Sequence, residues 1–206
     1  MHYAPSEPSA LSEREASPKD CVMAFGVPTN EEEFSASIDA ENREYTRQYF
    51  GGWPQYERYF VSRVQHVAPL YEALGVRVVY GLRRTDLPAL FKNASVVTLF
   101  THWAASGVEL FDGIVSLPEI VMSVPEQFSG TFDLCVCHPD ELVDLLLRDR
   151  PLCSVKYMST RKAQPEFWLT LYEALYEILS LGQGWTYSSA LNELFIKLRR
   201  SDEGKS

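Results

Sequence analysis

Two side chains in this sequence have the chemistry of a nucleophile and its base. His102 directly follows the apolar run Val96–Thr101, and Cys137 closes the run Phe132–Cys137. A thiol beside an imidazole is the minimum device for nucleophilic cysteine catalysis. The base raises the thiolate fraction, and the imidazolium later protonates the leaving amine. The two residues lie 35 positions apart. One crossover of that length can set their strands side by side, with both ends at the edge where open parallel sheets collect their functional groups. Spacing alone leaves other readings open. A histidine at a strand end is often structural, and a strand cysteine often serves as a small hydrophobe. Cys135, Cys137, His138 and His102 could instead bind zinc, although no second paired motif supplies the usual ligand spacing.

Cys135 and Cys137 are two apart and so share a strand face. Cys137 lies at the open end, before His138 and Pro139, whereas Cys135 sits deeper. Cys137 is therefore the better nucleophile of the two.

The elements that must position this pair are legible as apolar runs. Cys21–Phe25, Val76–Tyr80, Val96–Thr101, Phe132–Cys137 and Cys153–Tyr157 read as strands. Their apolar character is nearly continuous, which suits parallel strands covered on both faces. Between them lie helical patterns. From Gln55 to Leu74, Tyr56, Phe60, Val64, Val67, Tyr71 and Leu74 form one stripe, stopped by Gly75. Asp140–Arg148, Pro165–Leu181 and Thr186–Arg200 read as further helices, and Ile114–Val121 as a helical stretch. Glu31–Gln48 fits a surface helix or a flexible insertion equally well. The fold class is α/β: a mainly parallel sheet of about five to six strands with helices on both faces.

The 206 residues, 46% of them hydrophobic, suit one domain. Residues 1–20 and 201–206 read as flexible tails around a single domain at 21–200. A net charge of −9 argues against nucleic acid or an anionic membrane as partner. No apolar run reaches the roughly 18 residues of a membrane span, and no secretory signal is visible. The four cysteines lie in strand-like stretches rather than in a disulfide framework. A cytoplasmic setting is expected, with neither metal nor other cofactor.

The succession of residues around the pair carries a family likeness. After His102 come Gly107–Gly113, containing Asp112-Gly113, then the cysteine strand and the strand at Cys153. The aromatic helix around Phe167, Trp168 and Tyr172 follows, then Gly182, and Tyr187-Ser188-Ser189-Ala190-Leu191 opens the last helix. This order resembles the CHAT domain, a bacterial member of the caspase fold, over about half of the chain. In that family the histidine ends the third strand and the cysteine the fourth, as His102 and Cys137 do here. The resemblance implies a three-layer caspase-like fold and a cysteine endopeptidase acting on protein or peptide substrates, in a bacterial defence or cell-death system and under a regulatory partner protein. It also implies an oxyanion hole built from the Cys137 N–H and that of Trp103 or Ala104.

Two departures stand out. The family usually has glycine after the histidine, where this chain has Trp103. Many relatives have Ser-Gly after the cysteine, where this chain has His138-Pro139. In several relatives an acidic residue two before the cysteine selects a basic residue at the cleavage site. That position is Cys135 here, and Asp133 lies on the same face further back, so these two are the candidate substrate-pocket residues. The same likeness allows a different class of function, a catalytically inactive caspase-fold module that binds a partner protein.

Overall fold

The computed structural model describes residues 13–38, 52–104, 107–157, 165–182 and 184–203. Five parallel strands make the central sheet: β1 (Cys21–Phe25), β2 (Arg77–Val79), β3 (Val96–Phe100), β7 (Thr131–Cys135) and β8 (Ser154–Tyr157). Their spatial order is β2-β1-β3-β7-β8. Every neighbouring pair is parallel. β1, β3 and β7 are buried at every position, which is why they read as unbroken apolar runs instead of alternating ones.

Each sheet face carries its own core. Met23, Phe25, Val96 and Phe100 point to one side. There they meet the helical run Trp53–Tyr56 (α2), Glu57–Val61 and Ser62–Leu74 (α3), and the last two helices, Pro165–Ser180 (α7) and Tyr187–Glu203 (α8). Val22, Ala24, Val97, Leu99, Phe132 and Leu134 point to the other side. They pack on Leu87–Leu90 (α4), Leu117–Ser123 (α5) and Asp140–Asp149 (α6). The result is the expected three-layer α/β fold, with helices on both faces of a parallel sheet.

Gly75 ends α3 at φ 101°, and the Val76 N–H reaches back to the Tyr71 carbonyl at 3.0 Å. That is the left-handed helix stop anticipated at this glycine. Upstream, Glu57–Val61 is wound as a π-helix within the otherwise α-helical run, which the apolar spacing did not announce.

A second, antiparallel sheet holds β4 (Trp103–Ala104), β5 (Gly107–Leu110) and β6 (Gly113–Val115), in that order. The expected helical stretch Ile114–Val121 therefore begins late. Ile114 and Val115 pair with Glu109 and Val108. The helix starts after Ser116, whose side chain and N–H both bond the Glu119 carboxylate in a capping box.

The tail boundary also moves. Residues 13–20 are docked: Ala16 is buried and its N–H donates to the Trp185 carbonyl at 2.9 Å. Glu15 bridges to Thr186, and Glu13 accepts from the Ser188 hydroxyl at 2.9 Å. Pro18–Asp20 forms a short 3-10 turn into β1. Polar pairing and the buried Ala16 and Pro18 anchor this segment, and neither shows in composition. At the other end helix α8 continues to Glu203, past the expected stop at Arg200. Of the undecided stretch, Glu31–Ile38 (α1) is a helix and residues 39–51 lie outside the described part.

Candidate functional site

The carboxyl ends of β3 and β7 meet in the middle of the sheet. Their register pairs Phe100 with Cys135, and the Thr101 N–H still donates to the Cys135 carbonyl at 3.3 Å. His102 and Cys137 are each two residues beyond that last pair. The sheet thus delivers both residues to one edge from neighbouring strands.

His102 is half-buried. It leads directly into β4, and its carbonyl accepts from the Glu109 N–H at 2.9 Å. Cys137 is also half-buried, whereas Cys135 is 6% exposed. The chain turns away from the sheet at His138, whose φ of 51° lies in the left-handed region. Histidine is among the non-glycine residues that tolerate that region best. The turn sends the chain through Pro139 into α6, and His138 itself is exposed.

Burial governs the thiols. It pushes Cys21 and Cys153 up to about 12. It raises Cys135 well above its ordinary value, with the nearby Asp133 adding to the effect. It raises Cys137 as well. A raised thiol is mostly protonated at neutral pH, so any thiolate at Cys137 must be made by a base at the moment of reaction.

The two candidate oxyanion donors differ in direction. In β4–β5, Trp103 faces Val108 and Ala104 faces Gly107. Because His102 and Glu109 form a hydrogen-bonded pair, the alternation of an antiparallel ladder makes Trp103 and Val108 a non-hydrogen-bonded pair. The Trp103 N–H is therefore directed away from β5, to the open edge of the small sheet. That of Ala104 is directed into the ladder. The Trp103 indole packs against the core that contains Val108, Leu110 and Val115.

The candidate substrate-pocket residues lie inside the protein. Asp133 is 5% exposed and Cys135 6%. The Asp133 Oδ2 accepts from the Tyr187 hydroxyl at 2.6 Å and the Tyr172 hydroxyl at 3.1 Å. In the sheet it sits between Thr98 on β3 and Lys156 on β8. Burial raises its carboxyl from 3.8 to about 6, against the lowering pull of the Tyr187 and Tyr172 hydroxyls and Lys156. Helices α7 and α8 cover this position, so neither Asp133 nor Cys135 lines an open groove. Tyr172 and Tyr187 gave no sequence signal for this contact, because they are 39 and 54 positions away.

Among the described residues no group of three or more His, Cys, Asp or Glu side chains is placed to hold a metal ion. Cys135 faces the tyrosine-lined interior and His138 faces outward, which separates the zinc ligands considered from the sequence. Among the described residues no helix is long and apolar enough to cross a membrane. Comparison of the chain with protein-family models, with curated proteins and with solved structures finds no match.

Proposed function

We propose that this chain is a cysteine endopeptidase of the CHAT type, with Cys137 as nucleophile and His102 as general base and acid. The observation that carries the reading is the delivery of both residues to one edge by adjacent, in-register parallel strands. The Cys137 Sγ–H gives its proton to the His102 imidazole, and sulfur attacks the scissile carbonyl. The Cys137 and Trp103 N–H groups hold the oxyanion, the latter supported by its direction out of the hairpin ladder. The imidazolium then protonates the leaving amine, and water hydrolyses the thioester. The substrate is a protein or peptide in the cytoplasm, and control rests with a regulatory partner protein in a bacterial defence or cell-death system. All four cysteines are free thiols, which agrees with a reducing compartment.

A second reading has its own observation. The raised Cys137 thiol and the tryptophan in the glycine position suit a caspase-fold module that binds a partner and cleaves nothing. Iodoacetamide labelling near neutral pH separates the two. The peptidase reading expects Cys137 to react fastest, His102→Ala to slow it, and Cys135→Ser to leave it unchanged. A peptide-library screen with Cys137→Ala as control then reports cleavage. Equal, slow labelling of all four thiols, indifferent to His102→Ala, overturns the dyad.

A further inference from the structure

Beside His102 lies a buried carboxylate that the dyad does not use. Glu109, in the middle strand of the small sheet, is 3% exposed. The pairs Trp103↔Val108 and Ala104↔Gly107 place Glu109 directly opposite His102, and the Glu109 N–H to His102 carbonyl bond of 2.9 Å confirms that the ladder extends to them. Residues directly opposite in an antiparallel pair project to the same face, with Cβ atoms about 5 Å apart. The neighbouring pair follows the alternation: Trp103 and Val108 both pack into the core on the other face. Gly26 fixes the corner from below. A side chain there would strike the Thr101 hydroxyl and the Glu109 carbonyl, which are themselves hydrogen-bonded to each other.

We infer that Glu109 is a positioning residue for His102: its carboxylate faces the imidazole across the β4–β5 ladder, fixes the ring's orientation and stabilises its protonated form. The inference rests on the peptidase reading for its purpose, though not for its geometry. A carboxylate this deeply buried is costly unless it meets a cation or a hydrogen-bond donor. An imidazole supplies both, and an anion behind the ring sets which nitrogen is left to accept a proton. Among the described residues, the other charged groups against this corner have partners of their own. Asp112 accepts from the Arg84 N–H at 3.0 Å. Arg84 pairs with Glu119 at 3.2 Å. Arg83 lies over the Phe111 ring at 4.6 Å, and Glu33 accepts from the Thr29 N–H at 2.8 Å. Just beyond β7, the titratable groups among the described residues are the half-buried Cys137 and the exposed His138. With Glu109 in place the site is a Cys–His–Glu relay, in which the acid acts through the base and not on the substrate.

The test follows the His102 ring protons by NMR against pH in the full chain. The midpoint is expected about one pH unit above the ordinary histidine value of about 6.5, because an opposite charge at this range favours the charged form. Glu109→Gln keeps the shape, removes the charge and brings the midpoint down by about that unit. Glu109→Asp retains the charge on a shorter stem and gives an intermediate value. A His102 midpoint at or below 6.5 in the unaltered protein overturns the inference, as does a raised midpoint that Glu109→Gln leaves in place. Should the Gln variant fail to fold, the unaltered protein and the Asp variant still decide. Cys137 alkylation on the same samples separates the two proposals. An inert Cys137 with a raised His102 sinks the peptidase reading and leaves the pair standing. A reactive Cys137 with an unshifted His102 does the reverse.

Discussion

Asp133→Asn removes a carboxyl group that the fold holds in an unfavourable place. Burial raises it from 3.8 to about 6, even with Tyr187 and Tyr172 donating to it and Lys156 nearby. The folded chain therefore binds this proton more tightly than the unfolded chain does. Between the two values the folded state holds one proton more, so stability falls as pH rises. The contribution is complete below about pH 4 and is lost as pH passes through about 6. The gap between 3.8 and about 6 corresponds to about 3 kcal/mol. Asparagine offers the same acceptor oxygen to the tyrosines and does not titrate in this range. Unfolding by urea, measured from pH 4 to pH 7 on both proteins, reads the effect. The free energy of the unaltered protein minus that of the variant should fall by about 3 kcal/mol across the series. Taking the difference cancels the other carboxylates. A difference that stays flat, or rises with pH, would show that the hydroxyls and Lys156 outweigh burial, and the reasoning would fail.

Tyr187→Phe should cost about 1.5–3 kcal/mol by chemical denaturation near neutral pH, the range for a hydrogen bond to a charged group, and should raise the Asp133 midpoint further. A cost below that of an exposed tyrosine change would refute the contact. In the small sheet, Gly107→Ala would drive a methyl group into the Val115 carbonyl and should unravel the β4–β5–β6 hairpins, lowering the midpoint of thermal unfolding strongly. Gly113→Ala meets nothing within 4 Å, so only its φ of 126° opposes the change, at a cost on the order of 1 kcal/mol. Equal effects of the two alanines would contradict the geometry.

What the sequence disclosed depended on how local each signal was. β1, β3 and β7 announced themselves because both faces are buried, and a continuous apolar run is the mark of that condition. The same runs pointed to His102 and Cys137, although β3 ends at Phe100 and β7 at Cys135, the latter two residues before the expected end of the cysteine strand. Ile114 and Val115 misled because a three-residue strand followed at once by a helix has no period of its own. Glu109 was concealed by its setting. A charged residue between Val108 and Leu110 has the pattern of a half-exposed strand, yet in the fold Glu109 is 3% exposed. Asp133 was hidden by distance, since the tyrosines that receive it come from the last two helices. The docking of residues 13–20 depends on Glu13 and Glu15 reaching Ser188 and Gly184, contacts that span about the whole chain.

The order in which the strands lie has a consequence during synthesis. β1 is made first, and β3, β7 and β8 are then added on one side in the order they are translated. The growing sheet can lengthen strand by strand without threading. Its aromatic face cannot close on the same schedule. The helical run through Phe60 and Tyr71 can cover part of it early, but Trp168, Leu169, Tyr172, Leu175 and Leu191 arrive only with α7 and α8. A nascent chain halted before residue 165 would carry a nearly finished sheet with one oily side only partly covered and Asp133 lacking both tyrosines. Such a fragment is the kind of species that chaperones bind and that otherwise aggregates.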